Sequence, residues 1–280
     1  MDSGGPVPAG GPVPAPVWDN GATDPYGNRS RTAVVGATAD RCHSFYMKFP
    51  ARCVFVGSSS SGKSTLALRL VQQLDYVSGD DCPEIARFIL CYQYYQPMYE
   101  QLIEAVRRRN PDAEILSFEG YPEEQFGRAD FWQLSPVPGG RDSRMTFLFL
   151  DDVENGVGRS FLDLFQGRSH HARVNVFFLH QDHTTSPPLV KRALRNTDYF
   201  FITRSSFNGI LLRNLNTRIF PYNPRFLQGI YDWILQNVDH AGYPYMLICL
   251  PPSTEPAYTV RTGILKDQQP IMFIPVTTNS

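Results

Sequence analysis

A nine-residue segment of small residues around one lysine constrains this chain more than any other feature of its sequence. It satisfies the pattern GxxxxGK[ST] and reads Gly57-Ser58-Ser59-Ser60-Ser61-Gly62-Lys63-Ser64-Thr65. An apolar run over 53–56 precedes it, and Leu66, Leu70 and Leu74 follow it at helical spacing. Small residues let successive backbone N–H groups point at one phosphate, and the start of a helix adds a favourable dipole. The segment therefore predicts a strand, a phosphate-binding loop and a helix in succession.

Two side chains of this loop suit a nucleotide that carries a metal ion. Lys63 is placed to reach the β and γ phosphates of ATP, and the Ser64 hydroxyl can bind Mg²⁺. We therefore expect the whole segment 57–65 to bind nucleotide. The alternative is a serine-rich turn before a helix, which the flanking strand and helix patterns disfavour.

Two later apolar runs end in polar side chains. The run that begins at residue 146 ends in Asp151 and Asp152, and the run that begins at residue 174 ends in Gln181. In open α/β folds, ligands bind at the edge where the carboxyl ends of the strands meet. Taken alone, the aspartates could simply start a turn and the amide could simply cap a strand. A functional role for both runs is favoured because a phosphate-binding loop precedes them in the sequence.

These strand ends suggest distinct roles in phosphate chemistry. We expect Asp151 to hold Mg²⁺ together with Ser64, and Asp152 to polarise an attacking water. Gln181 is expected to contact both the γ-phosphate and that water. Glu154 is less favoured as the base because it lies beyond the end of the strand.

Composition narrows the class of protein. The 280 residues carry 26 basic and 27 acidic side chains, so the chain as a whole is not a basic nucleic-acid coat. The five cysteines form no CxxC pair, which predicts reduced thiols in an intracellular protein. The sequence shows neither a signal peptide nor an apolar run long enough to span a bilayer, so we expect no membrane association.

The chain divides into three parts by composition. Residues 1–40 repeat GGPVPA and predict a disordered or polyproline-like arm that serves as a spacer or as a docking peptide. From residue 49 onward, continuous apolar runs alternate with amphipathic stretches, which is typical of an α/β domain with a mostly parallel sheet. We therefore expect a single α/β domain over 41–265 and a tail over 266–280.

The predicted elements of that domain follow from the apolar runs and from helical spacing. Strands are expected over 52–56, 86–92, 114–118, 146–151, 175–181, 199–204 and 243–250. Helices are expected over 63–74, 98–109, 160–165, 188–196 and 225–238.

The stretch between the two polar-ended runs contains a cluster of basic residues. It reads Phe165-Gln166-Gly167-Arg168-Ser169-His170-His171-Ala172-Arg173. The adjacent histidines could suggest a metal site, but no second group of ligands stands at a useful spacing. An arginine here could instead neutralise charge on a transferring phosphoryl group. The triple arginine at 107–109 could face DNA, or it could complement the dipole of its own helix.

The order of the motifs resembles one family. GSSSSGKST, FLFLDD, FQGRSHH and VNVFFLHQ follow one another as in the viral genome-packaging ATPases of the FtsK/HerA superfamily, in particular their poxvirus A32-like branch. The resemblance covers roughly residues 50–205. It implies a three-layer P-loop NTPase fold of the ASCE or RecA-like type, in which an extra strand lies between the Walker A and Walker B strands. It also implies a homo-oligomeric ring with ATP at the subunit junctions.

The resemblance carries roles over to particular residues. It implies that Lys63 and Ser64 bind phosphate and Mg²⁺, that Asp151 orients the metal and that Asp152 is the catalytic carboxylate. It also implies that Gln181 is the sensor residue, which contacts the γ-phosphate. Arg168 then becomes the candidate arginine finger that acts on a neighbouring subunit, with Arg173 as the alternative. The sequence departs from the family pattern at Asp152, where many members carry Glu, and at Ser169, which is inserted between the arginine and the histidine.

The function implied by the resemblance is an ATP-hydrolysing motor that moves double-stranded viral DNA into a preformed capsid. The partners would be double-stranded DNA and a capsid or portal component, and the place would be the nucleus, a cytoplasmic virus factory or the virion. Two other functions stay open from the sequence. One is a P-loop nucleoside or nucleotide kinase, and the other is a capsid-associated structural protein that binds nucleotide without hydrolysing it.

Overall fold

The structure is a computed structural model that describes residues 17–23, 29–36, 45–134, 143–181, 186–206, 208–239, 243–252, 254 and 258–277. The strands of these ranges are β1 (Val17–Thr23), β2 (Arg29–Gly36), β3 (Arg52–Val56), β4 (Glu84–Tyr92), β5 (Glu114–Glu119), β6 (Arg144–Asp151), β7 (Val174–His180), β8 (Tyr199–Thr203), β9 (Tyr245–Cys249), β10 (Val260–Thr262) and β11 (Ile271–Thr277). Within the same ranges, none of the helices has the combination of length and apolar composition that a membrane span needs.

The helices lie between the strands. They are α1 (Lys63–Gln72), α2 (Leu74–Ser78), α3 (Met98–Arg109), α4 (Glu123–Gly127), α5 (Arg159–Asp163), α6 (Ser169–His171), α7 (Pro188–Ala193), α8 (Asn208–Ile219) and α9 (Phe226–Asn237). Short 3₁₀ turns add Gly79–Asp81, Asp130–Trp132, Glu154–Gly156 and Leu194–Asn196. A π turn, Leu164–Arg168, joins α5 to α6.

All strands pair into one sheet with the order β1-β2-β11-β10-β9-β8-β3-β7-β6-β4-β5. The six strands from β8 to β5 are parallel, and they contain the loop-bearing β3 and the acidic β6. β7 lies between β3 and β6, as the resemblance implies for the extra strand. The carboxyl ends of β3, β6 and β7 therefore meet at one edge of the sheet.

The sheet is covered on both faces, which makes three layers. One face packs against α1 and α3 through side chains such as Phe55, Phe149 and Leu70. The opposite face packs against α5, α7, α8 and α9 through side chains such as Val54 and Phe178. Every residue of β7 is buried, as expected of a central strand that is covered on both sides. The predicted stripe of Leu66, Leu70 and Leu74 is buried as well.

All seven strands predicted from the sequence are present, and their bounds shift by at most two residues. One of them differs in direction: β9 runs antiparallel to β8, although the apolar pattern placed it in the parallel sheet. The sequence analysis also missed α8 entirely. The residues of α8 include several with weak helix propensity, but Leu211, Leu212 and Leu215 are buried against the sheet, and this packing stabilises the helix.

Both ends of the chain differ from the sequence prediction. Within the predicted arm 1–40, the described residues form β1 and β2. β1 pairs with β2, and β2 pairs with β11, while the remaining residues of the arm lie outside the described ranges. The predicted tail 266–280 contains β11, so the domain does not end at residue 265. The reason in both cases is backbone pairing between segments that are distant in sequence, which the local pattern of side chains does not reveal.

A salt bridge links the starts of β3 and β8. The Arg52 guanidinium donates from Nε and Nη2 to the two carboxylate oxygens of Asp198, each at 2.8 Å. The Arg52 backbone N–H also donates to Asp198 Oδ2 at 2.8 Å, and Arg52 Nη1 donates to the Phe165 carbonyl at 2.5 Å. Both side chains are largely buried, so each depends on the other for its hydrogen bonds.

We expect Asp198→Asn to lower the free energy of unfolding by about 1–3 kcal/mol, because it leaves a largely buried guanidinium without its charged acceptor. Urea denaturation measures this change. Glu104→Gln is the control, because it removes the exposed carboxylate that pairs with Arg108 on α3. It should change the free energy of unfolding by no more than about 0.5 kcal/mol. Equal effects of the two substitutions would contradict a structural role for the Arg52 pair.

Candidate active site

The segment 57–65 forms a loop between β3 and α1. Its backbone is fixed at both ends, because the Gly57 N–H donates to the His180 carbonyl at 3.3 Å and the Ser58 N–H donates to the Arg204 carbonyl at 3.1 Å. The loop therefore begins between the ends of the neighbouring strands β7 and β8. It curls through left-handed conformations at Ser60, with a φ of 60°, and at Gly62, with a φ of 87°.

Steric contacts explain why positions 57 and 62 of the motif are both glycine. A Cβ atom at Gly57 would lie 1.9 Å from Thr203 Oγ1, and a Cβ atom at Gly62 would lie 2.3 Å from the Tyr243 ring. Gly62 also carries a positive φ, which a side chain rarely tolerates. The loop can keep this shape only with glycine at these two positions.

Lys63 reaches back across the loop. Its Nζ donates to the carbonyl oxygens of Gly57 at 2.8 Å and of Ser58 at 2.9 Å, and the residue is 7% exposed. Burial lowers the pKa of Lys63, and the charges of Asp152 and Asp151 oppose that change. An ammonium has three donors, so a third remains for a phosphate oxygen.

Asp151 is the last residue of β6 and is almost completely buried. Burial raises its pKa to about 6, and the charge of Asp152 adds to this, while the hydrogen bond from Tyr99 and the charge of Lys63 act in the opposite direction. The Tyr99 hydroxyl donates to Asp151 Oδ2 at 2.8 Å. A buried carboxylate in this environment gains strongly from a nearby cation.

Asp152 is the first residue beyond β6 and adopts a left-handed backbone with a φ of 55°. This turn places its side chain beside Gln181, whose Nε2 donates to Asp152 Oδ2. Burial raises the pKa of Asp152, although the Gln181 hydrogen bond opposes that rise. A higher pKa makes a carboxylate a better proton acceptor.

A second chain of hydrogen bonds lies behind this pair. Glu154 Oε1 is 3.1 Å from His180 Nδ1, and Ser186 Oγ is 2.7 Å from His180 Nε2. Burial raises the pKa of Glu154, but the hydrogen bond and charge of His180 outweigh it, and the pKa falls below its ordinary value. One Glu154 oxygen is thus held by His180, while the buried Oε2 has no hydrogen-bond partner among the described residues.

The predicted side chains share one cavity of about 440 Å³. The predicted residues that line it are Ser59, Ser60, Ser61, Gly62, Lys63, Ser64, Thr65, Asp151, Asp152 and Gln181. Gly57 and Ser58 contact Lys63 through their carbonyl oxygens. Loop, acids and amide therefore meet at the carboxyl edge of the sheet.

The cavity suits Mg²⁺ bound together with a nucleotide. Ser64 and Asp151 both line it and offer oxygen ligands, which Mg²⁺ prefers. Among the described residues, no group of three or more His, Cys, Asp or Glu side chains is arranged to hold a metal ion alone. Mg²⁺ commonly binds through one or two carboxylates plus substrate phosphates, so a site that is completed by phosphate oxygens matches this arrangement.

The two candidate finger arginines lie elsewhere. Arg168 ends the π turn, donates to the Phe126 carbonyl and lies 3.7 Å from Asp163. Arg173 directly precedes β7, so it stands at the amino edge of the sheet, opposite the cavity. Both arginines line a separate pocket with Arg144, the first residue of β6. Neither arginine lines the cavity formed by the loop and the aspartates.

Several residues of the site were missed by the sequence analysis, among them Gln96 and Met98, which line the cavity. Tyr99 comes from the first turn of α3, and Tyr243 comes from the segment before β9. No local pattern marks either of them. Thr203 ends the apolar strand β8, and its Oγ1 lies 2.7 Å from Ser61 Oγ. A polar residue at the end of an apolar strand is the same signal that revealed Asp151, so Thr203 could have been found.

Asp151→Asn should stabilise the protein when it is free of nucleotide and metal. The raised pKa means that the folded state holds the Asp151 proton more tightly than the unfolded state, so ionisation costs stability as the pH rises from about 4 through 6. We expect the variant to be more stable than wild type by about 2–3 kcal/mol at pH 8 and equally stable near pH 4.

Urea denaturation at the two pH values, in buffer with a chelator, measures this difference. The exposed Asp112→Asn variant is the control and should behave like wild type at both. A difference in unfolding free energy between wild type and Asp151→Asn that does not change with pH would contradict the raised pKa of Asp151.

Comparison with known proteins finds similarity only at the level of structure. No family model and no curated protein matches the sequence. ATPases 2 and 3 of EssC from Geobacillus thermodenitrificans align with 96% of this chain and 48% of that chain, at 11% identity and a TM-score of 0.45. The cytoplasmic domain of the type VII secretion ATPase EccC from Thermomonospora curvata aligns with 82% of this chain and 24% of that chain, at 12% identity and a TM-score of 0.41.

A viral protein is also among the similar structures. The genome packaging NTPase B204 from Sulfolobus turreted icosahedral virus 2, in complex with sulfate, aligns with 71% of this chain and 91% of that chain, at 11% identity and a TM-score of 0.38. This chain spans less than half the length of the EssC and EccC chains. The strand order is itself informative, since the loop-bearing β3 is separated from the acidic β6 by the amide-ended β7. With this order and this cavity, the chain has the ASCE form of the P-loop NTPase fold.

Proposed function

We propose that this protein hydrolyses ATP and uses the energy to move double-stranded viral DNA into a preformed capsid. The observation that carries the ATPase part is the shared cavity of Lys63, Asp151, Asp152 and Gln181. A phosphate-binding loop alone fits many functions. A carboxylate and an amide that are hydrogen-bonded beside it favour attack by water.

Each side chain has a definite task in this reaction. The backbone N–H groups of the loop and Lys63 hold the phosphates, and Ser64 and Asp151 hold the metal. Mg²⁺–ATP, when bound, supplies the phosphoryl group and the cation that neutralises its charge. Gln181 donates to Asp152 through its amide nitrogen, which leaves its carbonyl oxygen to accept a hydrogen bond from water.

Asp152 is the group that we assign as the proton acceptor. Its partly buried environment raises its pKa and so strengthens it as a base. Gln181 fixes the orientation of the carboxylate and prevents it from turning away from the cavity.

The alternatives fit the site less well. A kinase for nucleosides would need an arginine-rich lid and a pocket for the acceptor base, whereas the amide that follows β7 favours attack by water. A structural protein that only binds nucleotide gains nothing from a base with a raised pKa. The order of the motifs is the basis for the remaining parts of the proposal. These are the DNA substrate, the homo-oligomeric ring, the capsid or portal partner and the location inside the infected cell. These parts of the proposal predict that duplex DNA stimulates ATP turnover and that the native mass is a multiple of the mass of one chain.

Lys63→Ala should reduce ATP turnover by about 100-fold or more, because it removes the side chain that stabilises the phosphates. Phosphate release measured with and without duplex DNA tests this, beside a native mass of the assembly. Lys48→Ala is the control, since Lys48 pairs with Asp81 far from the cavity, and it should keep wild-type turnover. Unchanged turnover in Lys63→Ala would contradict the ATPase assignment, and phosphorylation of added nucleosides would favour the kinase.

A second experiment tests whether Arg168 acts across subunits. Arg168→Ala and Lys63→Ala should each be inactive alone. Equal mixing should restore activity at about a quarter of the sites, where an intact Lys63 meets an intact Arg168 of a neighbour. Native mass spectrometry verifies that mixed assemblies form. If mixed assemblies form and remain inactive, Arg168 does not act in this way, and the same mixture with Arg173→Ala tests the alternative.

A further inference from the structure

One part of the chain is strongly enriched in positive charge. Between Asp182 and Asp232, the sequence contains seven of the 26 basic residues and only one of the 27 acidic residues. That single acid is Asp198, and Arg52 occupies both of its carboxylate oxygens at 2.8 Å. The one acid within this stretch is therefore already paired with Arg52.

Five of these cations lie on α7, on the 3₁₀ turn that follows it and on α8. We call them the cationic surface, and all five are exposed: Lys191, Arg192, Arg195, Arg213 and Arg218. The segments are held together by Arg218 Nη1, which donates to the Arg195 carbonyl at 2.8 Å. The side chains thus stand on a fixed framework.

A cavity of about 690 Å³ opens within this surface. Lys191, Arg195 and Arg218 line it, and the amides of Asn196 and Asn214 line it as well. None of its lining residues is acidic. Ammonium, guanidinium and amide groups are the side-chain donors that bind phosphate oxygens.

The cationic surface is separate from the ATP cavity. Asn208, at the start of α8, donates to the Thr203 carbonyl at the carboxyl end of β8. From there α8 runs back along the sheet for about 18 Å, so that Arg218 lies near the amino edge. Arg195 also lies at that edge, four residues before β8 begins. The two cavities share no residue.

We propose that the cationic surface binds the phosphate backbone of double-stranded DNA, an inference that rests on the proposed function. The cations are exposed and the cavity between them has no acidic lining residue, which suits a polyanion with about one charge per 1.7 Å of duplex. The contacts would be to backbone phosphates, so binding would not depend on sequence.

The triple arginine at 107–109 is a weaker candidate for this role. Arg109 donates to Asp75, and Arg108 lies 3.2 Å from Glu104, so two of its three charges are already paired. Arg107 and Arg108 are nevertheless exposed on a helix, as Arg213 is. They therefore provide a control with the same change in charge.

The test compares two double variants of the full chain. Arg195→Gln with Arg213→Gln removes two cations of the proposed surface, and Arg107→Gln with Arg108→Gln removes two from α3. Binding of labelled duplexes of two unrelated sequences is measured without ATP, over a range of salt concentrations. Basal ATP turnover and native mass are measured on the same samples.

We expect the Arg195/Arg213 variant to bind both duplexes at least about 10-fold more weakly and to reduce the salt slope by about 2, because each lost phosphate contact removes about one unit. The Arg107/Arg108 variant should bind within about twofold of wild type, and both should keep basal turnover and mass.

Equal weakening in the two variants, or wild-type binding by the Arg195/Arg213 variant, would overturn the proposal. Loss of the native assembly in that variant would overturn it in favour of an interface with a second copy of the chain. If wild type hydrolyses ATP and the Arg195/Arg213 variant binds duplex as tightly as wild type does, only the assignment of the DNA-binding surface fails. If the variant loses binding while wild type shows no ATP turnover, the surface stands and the motor fails.

Discussion

The site depends on charges that are buried together at one edge of the sheet. Lys63 is almost inaccessible, and Asp151 is buried at the end of β6, so neither can rely on water for its solvation. Burial lowers the pKa of the lysine and raises the pKa of the aspartate, while their mutual attraction opposes both changes. Protein groups satisfy these charges only in part, through carbonyl oxygens and Tyr99. A metal ion with its phosphates can supply the rest, so we expect their binding to stabilise this edge of the sheet.

The strand order is what brings these charges together. β7 lies between β3 and β6, so its carboxyl end places Gln181 between the loop and the aspartates. A different order of the same strands would leave the amide remote from Asp152. The left-handed turn at Asp152 is equally necessary, because an extended continuation of β6 would direct alternate side chains to opposite faces of the sheet. The geometry thus arises from one topological choice and one strained residue.

The sequence was informative wherever a single local pattern determines the structure. Apolar runs identified the seven central strands, and polar residues at their ends identified Asp151, Asp152 and Gln181, because parallel strands present their carboxyl ends at one edge. The relation between β2 and β11 could not be deduced this way, since backbone pairing of distant segments leaves no local signal. Tyr99 was missed for a similar reason, because its role depends on how α3 packs beside β6.

The two edges of the sheet have different chemistry, and β8 connects them. At the carboxyl edge, Thr203 Oγ1 contacts Ser61 of the loop at 2.7 Å and donates to the Val56 carbonyl at 3.1 Å. The carbonyl of the same threonine accepts a hydrogen bond from Asn208 at 2.7 Å, and Asn208 begins the helix that carries two cations of the proposed DNA surface. The Arg52 salt bridge fixes the other end of β8 to β3. Because β8 is buried over its whole length, the loop and the cationic helix are attached to one rigid strand rather than to separate mobile segments.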